Sequence, residues 1–338
     1  SSMRVVIVSD AWYPQVNGVV TTLSQLKQNL EKKGYIVDLI EPSLFKTTST
    51  TIYPEISLSM NPWKIKEYLD TEFDYLHIAT EGPLGFFARR FANKHDLNYS
   101  TAIHTKFPEY FNKIIFLPTA LTYKYLRWFH KNSTSVLVNT NSQIKELKSK
   151  KFKNLKLWSR AFDKLTFYPR EKKCIDNYIL YVGRVSKEKN LEAFLNLPTQ
   201  ESKVVVGPGP MLDLYKATYK DIEFVGPKFG NELAQFYSDA SVFVFPSKTD
   251  TYGIVMIEAM ACGTPVAAYP VTGPIDVIEP NLNGCVNEDL EKAVCHAKTI
   301  SSQSCIDSVK HLSWDSVTLT FLDNMVHCKS NQEKIVQA

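Results

Sequence analysis

Val242-Phe243-Val244-Phe245-Pro246-Ser247, then Lys248-Thr249-Asp250-Thr251-Tyr252, then Gly253-Ile254-Val255-Met256-Ile257-Glu258-Ala259-Met260-Ala261-Cys262-Gly263, is the stretch on which the reading of the chain turns. An apolar strand is ended by proline, a polar loop follows, and a helix opens at Gly253 and stops at Gly263. The helix is apolar on every side of Glu258, which predicts that it is buried all round and Glu258 with it. A buried carboxylate must be met by a cation, by backbone donors or by the hydroxyls of a ligand. No cation is close by in sequence. Asp250 sits at the mouth of the same helix, where free N–H groups and the positive dipole end suit an anion such as a phosphate. Two carboxylates therefore bracket an anion site. On the residues alone, a helix-capping acid at Asp250 and a structural ion pair at Glu258 fit equally well.

Working outward, the same rhythm of strand, loop and helix recurs in both halves. Tyr178 to Val182 is a strand that runs into Gly183-Arg184-Val185-Ser186-Lys187-Glu188-Lys189-Asn190 and then a helix. The glycine lets that loop turn, and Arg184 and Lys189 put two cations where the helix begins. Strands follow at Lys203 to Val206 and Glu223 to Val225. In the first half, strands are expected at Val5 to Ser9, Tyr35 to Ile40, Tyr75 to Ala79, Ser100 to Ile103, Ser135 to Asn139 and Leu155 to Trp158. The first of these delivers a loop ending in Asn17-Gly18 ahead of a helix over about Val20 to Lys33. No G-x-G-x-x-G dinucleotide fingerprint stands at any strand end. Thr80-Glu81-Gly82-Pro83-Leu84-Gly85 and His104-Thr105-Lys106-Phe107-Pro108-Glu109-Tyr110 follow two more strands, and loops at strand carboxyl ends build sites in α/β proteins. Asn283-Gly284 reads as a turn, and His311 to Cys328 has helical spacing.

The 338 residues suit two domains. The boundaries read as 1–165, 166–312 and a final helical segment 313–338. No apolar run approaches the ~20 residues that span a bilayer. The start goes straight into a strand with no room for a signal peptide, so the chain reads as cytoplasmic. The six cysteines form no C-x-x-C pair and read as free thiols. Residues 1–150 carry 18 basic against 13 acidic groups. From Phe107 to Lys131 basic and bulky apolar residues alternate, among them Lys113, Lys124, Arg127, Trp128 and Lys131. That is the composition of a surface dipping into a lipid interface, or of a helix pair with an ordinary core side. Single-stranded nucleic acid also suits basic and aromatic residues, but no ribonucleoprotein motif is present.

The spacing from Asp250 to Glu258 resembles the E-x7-E signature of retaining glycosyltransferases of the family 4 type. Pro246-Ser247, Gly253, Glu258-Ala259, Gly263-Thr264-Pro265-Val266, Pro270 and Gly273-Pro274 fall where that family has them, and the resemblance extends over residues 4 to 325. Two departures stand out. The first acid is Asp250 in place of the commoner Glu, and Pro208 in Gly207-Pro208-Gly209-Pro210 stands where relatives carry an acid.

The resemblance implies a GT-B architecture, two Rossmann-like doubly wound parallel-sheet domains facing a cleft, with the last helix crossing back to the first domain. It implies metal-independent transfer of a hexose from a UDP- or GDP-linked donor, which is a substrate, so no cofactor is expected. By the same resemblance Arg184 and Lys189 clamp the diphosphate beside Gly183, and Glu258 takes the ribose hydroxyls. Asp250 holds the sugar, while the amides of Thr251, Tyr252, Gly253 and Ile254 cradle phosphate. His104 faces the donor sugar, and Gly18 leaves space near phosphate and acceptor. The acceptor implied by the basic first half is a membrane lipid such as diacylglycerol or a glycolipid, reached at an anionic inner membrane face. A saccharide acceptor and a nucleotide-sugar epimerase are the alternatives.

Overall fold

The computed structural model describes residues 2–15, 18–49, 57–104, 119–249 and 253–331. Contacts divide the chain into Ser1–Arg160 with Trp314–Ala338 as one unit, and Ala161–Ser313 as the other. The division falls after Arg160 because Phe162 and Phe167 are already buried in the core of the second unit.

The first unit contains strands β1 (Arg4–Val8), β2 (Ile36–Ile40), β3 (Thr47–Ser49), β4 (Ser57–Ser59), β5 (Tyr75–Ile78), β6 (Ser100–Ile103), β7 (Val136–Val138) and β8 (Leu155–Leu157). Six of them form a parallel sheet in the order β2-β1-β5-β6-β7-β8, and β3 and β4 make a separate antiparallel pair. The second unit contains β9 (Tyr178–Val182), β10 (Ser202–Val206), β11 (Glu223–Gly226), β12 (Val242–Phe245), β13 (Val266–Ala268) and β14 (Gly284–Val286). They form one parallel sheet in the order β11-β10-β9-β12-β13-β14. Parallel strands covered on both faces read as continuous apolar runs. Successive side chains of such a strand point to opposite faces. Leu180, Val182, Phe243 and Phe245 accordingly enter one core cluster, while Ile179, Tyr181, Val242 and Val244 enter another.

In both sheets the chain builds outward from one strand and then reverses to the other side. The reversal lies between β1 and β5 in the first unit and between β9 and β12 in the second. At such a switch point the two crossover connections leave on opposite faces, which opens a crevice beyond the strand carboxyl ends.

The last helix, Trp314–Asp323, belongs to the first unit. Phe321 on it is fully buried and meets His77 and Trp158 at ring-centroid distances of 5.0 and 5.7 Å. The Trp158 indole N–H donates to the Val317 carbonyl at 2.9 Å. Beyond the helix, the Asn98 amide donates to the carbonyls of His327 and Ser330.

Two readings are corrected. Asn283 ends a turn, but Gly284 opens β14, because its backbone lies against β13: a Cβ there would stand 2.3 Å from the Val266 carbonyl oxygen. The helix over Ile254–Ala261 is not buried all round. Ile254, Val255 and Glu258 are only half-buried, although Val255 packs against the same core as Met256, Ile257, Ala259 and Met260, and Glu258 meets the buried Tyr237 there. Of the Phe107 to Lys131 stretch, the structure describes the helix Thr119–His130 and Lys131; Lys113 lies outside the described residues. All six cysteines are free, and no described helix is long and apolar enough to cross a membrane.

If the final helix is an integral layer of the first unit, Phe321→Ala should cost ~3–5 kcal/mol through the cavity it leaves. Denaturant unfolding monitored by tryptophan fluorescence checks this, and an unchanged midpoint contradicts it.

Candidate active site

The loop after β9 begins at Gly183, and the loop after β10 begins at Gly207. Their backbones touch. A Cβ on Gly207, at φ +143°, would lie 1.8 Å from the Gly183 carbonyl oxygen, and one on Gly209 would lie 2.1 Å from that of Val185. Only glycine permits such an approach. The Val185 N–H donates to the Pro208 carbonyl at 2.8 Å, so Pro208, which offers no N–H or carboxylate, serves as a brace under the Arg184 loop.

Above that brace Arg184 is exposed and lies 3.7 Å from the Glu188 carboxylate, while the Tyr181 hydroxyl donates to the Arg184 carbonyl at 2.7 Å. Lys189 is half-buried on the tight turn Lys187–Lys189. The next residue, Asn190, takes left-handed backbone angles, φ 54° and ψ 35°. Its side-chain amide donates to the Pro246 carbonyl at 2.9 Å. That bond joins the loop after β9 to the loop after β12, which are the two walls of the switch-point crevice.

Beyond Pro246, Ser247 is buried and its hydroxyl meets the Thr249 hydroxyl at 3.0 Å. Asp250, Thr251 and Tyr252 lie outside the described residues. Gly253 then opens the helix, and a Cβ on it would stand 3.0 Å from the Phe245 ring, so the helix mouth is pressed onto the end of its own strand. Ile254 is the first helical residue. One turn on, Glu258 accepts a hydrogen bond from the fully buried Tyr237 hydroxyl at 3.1 Å. Burial raises the Glu258 pKa from the ordinary 4.5 to about 7; the Tyr237 bond opposes the rise and the Asp163 charge adds to it. Burial, then the Glu258 charge, drives the Tyr237 pKa far up, so its phenol remains a donor.

The first unit has a matching junction. Asp10, just past β1, is buried and accepts from the Thr80 hydroxyl and the Leu84 N–H, both at 2.7 Å, and from the Gly85 N–H at 3.3 Å. It thereby caps the helix Pro83–Lys94 across the switch between β1 and β5. Gly82 is required here, because a Cβ would come within 2.5 Å of the Asp10 carboxyl. Beside this junction His104 is buried at 6% exposure. Burial, and then the Arg160 charge, lowers its pKa to about 4, against a hydrogen bond to the Ala79 backbone that raises it. The ring is therefore neutral at pH 7, and its Nε2 has no partner among the described residues. Gly18 opens the helix Gly18–Lys32, and a Cβ on it would stand 3.4 Å from the Arg160 guanidinium. Gly18, Arg160 and His104 thus lie near one another. Among the described residues no group of three or more His, Cys, Asp or Glu is placed to hold a metal ion.

Arg160, Asp10, Asn190 and Tyr237 carry this geometry without having been singled out in the sequence. Asn190 ends one strand-end loop and Asp10 begins another, which is a usable signal. Arg160 and Tyr237 lie far in sequence from the groups they face and carry none.

Residues 16–164 match the family described as Glycosyltransferase Family 4, and residues 176–300 match Glycosyl transferases group 1. The chain belongs to the family 4 type glycosyltransferases. It is 23% identical over 313 residues to a GDP-mannose-dependent alpha-mannosyltransferase of Corynebacterium glutamicum, covering 83% of this chain and 76% of that one. It is 24% identical over 353 residues to an alpha-monoglucosyldiacylglycerol synthase of Streptococcus pneumoniae, covering 88% and 76%. Among solved structures, a sucrose-phosphate synthase from Thermosynechococcus elongatus superposes with a TM-score of 0.72 at 19% identity, covering 95% of this chain and 98% of that one. The fold of this glycosyltransferase is GT-B. As a member of the family it is an enzyme that moves a sugar from a nucleotide-sugar donor.

The raised Glu258 pKa has a sign that can be checked. Between pH 4.5 and about 7 the unfolded chain ionises this carboxyl while the folded chain keeps it protonated. Folded stability therefore falls as pH rises through that window, and the loss is complete above it. With allowance for its partial exposure the loss is on the order of 1–2 kcal/mol. Glu258→Gln should have a thermal midpoint close to wild type at pH 4.5 and above it at pH 8. Identical shifts at both pH values would contradict the assignment.

Proposed function

We propose that the enzyme is a retaining hexosyltransferase that uses a UDP- or GDP-linked donor and a lipid acceptor, diacylglycerol or a glycolipid, at the inner face of a membrane. The observation that carries the donor half is the crevice at the β9/β12 switch point, walled by the Arg184–Lys189 loop and the mouth of the Glu258 helix and cross-tied by Asn190. Phosphates at such a crevice meet backbone N–H groups and the helix dipole. In this reading Arg184 and Lys189 neutralise charge on the departing diphosphate, where it grows as the bond from the sugar C1 to oxygen breaks. The amides of Thr251, Tyr252, Gly253 and Ile254 hold phosphate, and Asp250 holds the sugar hydroxyls. The acceptor hydroxyl attacks C1 on the leaving-group face, and its proton passes to a diphosphate oxygen. No metal and no protein nucleophile takes part.

Glu258 takes hydrogen bonds from the ribose hydroxyls. Those donors favour the carboxylate, so the raised pKa is pulled down and donor binding near pH 7 releases a proton. His104, neutral, offers Nε2 as an acceptor to a sugar hydroxyl, and Gly18 leaves the helix N-terminus open to phosphate. The lipid half of the proposal is supported by the likeness to a protein named monoglucosyldiacylglycerol synthase and by the basic, aromatic helix Thr119–His130. The likeness to a GDP-mannose-dependent enzyme favours keeping a mannosyl donor and a saccharide acceptor as the second reading.

Arg184→Ala and Lys189→Ala should each leave the thermal midpoint unchanged and lower kcat by about 10² or more. Near-normal turnover in both removes the clamp. Donor and acceptor are read by offering UDP-glucose or GDP-mannose with dioleoylglycerol in neutral detergent micelles, with EDTA present. A glycolipid of retained anomeric configuration is expected. Transfer to soluble sugars only favours the second reading, and epimerised donor without acceptor points to an epimerase.

A further inference from the structure

A groove of about 560 Å³ runs between the Thr119–His130 helix and the turn that follows the Asn141–Ser149 helix. On the first side Lys124, Arg127, Trp128 and Lys131 are spaced three, four and seven residues apart, which puts them on one helical face. On the other side are Lys151 and Lys153, with the buried Phe152 between them. The two sides are tied by Arg127, whose guanidinium donates to the Lys150 carbonyl at 3.2 Å. All five cations are exposed, no carboxylate lines the groove, and none of the five forms an ion pair with a described residue. Like charges so placed repel one another and raise the potential in the concavity between them, which favours an anionic occupant.

The rim is apolar. Trp128 is 41% exposed, and Leu121, one helical turn before Lys124 on the same face, is 52% exposed. Trp128 is held in place: the Arg89 guanidinium lies 3.8 Å over its ring and donates to the carbonyls of Phe129 and Trp128 at 2.8 and 3.0 Å. A fixed indole and a leucine beside a basic groove match a phospholipid interface, where the apolar groups enter the headgroup boundary and the cations meet phosphate. A small soluble anion such as inorganic phosphate would gain nothing from that rim.

We infer that this groove seats the phosphodiester headgroups of anionic phospholipids and docks the first unit on a bilayer. The site is separate from the residues assigned to donor and acceptor, but the inference rests on the reading that the acceptor lies in a membrane. The test is sedimentation with vesicles of phosphatidylcholine alone or mixed with phosphatidylglycerol, at physiological salt. Three proteins are compared: wild type, Lys151→Gln/Lys153→Gln in the groove, and Lys216→Gln/Lys220→Gln, which removes the same charge from the second unit. Thermal midpoints verify folding.

Wild type should sediment with the mixed vesicles and not with phosphatidylcholine. The groove variant should lose about tenfold or more in partitioning while the control stays close to wild type. Failure of wild type to sediment, or equal loss in both variants, overturns the inference. So does displacement from vesicles by glycerol phosphate or a single-stranded oligonucleotide at concentrations that leave ionic strength unchanged, which would make a soluble polyanion the occupant. If sedimentation behaves as expected but dioleoylglycerol is not glycosylated in micelles, the acceptor reading fails and the groove stands. If dioleoylglycerol is glycosylated but the groove variant binds vesicles as wild type does, the groove fails and the acceptor stands.

Discussion

One side-chain amide, that of Asn190 donating to the Pro246 carbonyl, ties the two loops on which the candidate donor site depends. Parallel strands whose crossovers diverge leave a crevice at the point of reversal, and the Asn190 bond fixes one of its walls to the other. Asn190 reaches across because its backbone is left-handed, a conformation that asparagine tolerates better than most residues. The glycines behind it bring the β10 loop under the β9 loop, so Arg184 is carried on a braced support. Asp10 plays the corresponding part in the first unit, bonding across the switch between β1 and β5. Two unrelated side chains thus meet the same topological need.

The cost of the arrangement is concentrated at Glu258. A carboxyl with one phenol partner and a raised pKa destabilises the ligand-free fold at neutral pH, and nothing in the local packing requires an acid there. A ligand that donates hydroxyls would relieve it. His104 is placed under a similar constraint: burial and Arg160 hold it neutral, and its Nε2 is left without a partner among the described residues. Strain that folding alone does not require is what a binding site retains.

The sheet cores were legible because buried parallel strands are written as unbroken apolar runs; Tyr178–Val182 and Ser100–Ile103 have the bounds the sequence indicated. Gly263 marks the helix end correctly, since its φ of +89° suits a residue without Cβ. The β3/β4 pair was not legible, being two three-residue strands of mostly small polar residues. The half-exposure of Glu258 was missed for a different reason. Apolar composition reports that a helix is largely covered, but the core covers Ile254, Val255 and Glu258 only in part, and no periodicity records that. The basic groove was half legible: the helical side lies within one stretch, but Lys151 and Lys153 join it only through the fold.

The central claim is that the β9/β12 crevice holds the nucleoside diphosphate of the donor. Hydrogen–deuterium exchange with and without saturating UDP or GDP tests it directly. The account predicts slowed exchange at Gly183–Asn190 and at the N–H groups from Gly253 through the first turn of the helix, for at least one of the two nucleotides. Protection confined to other segments, with those two unchanged, would contradict it.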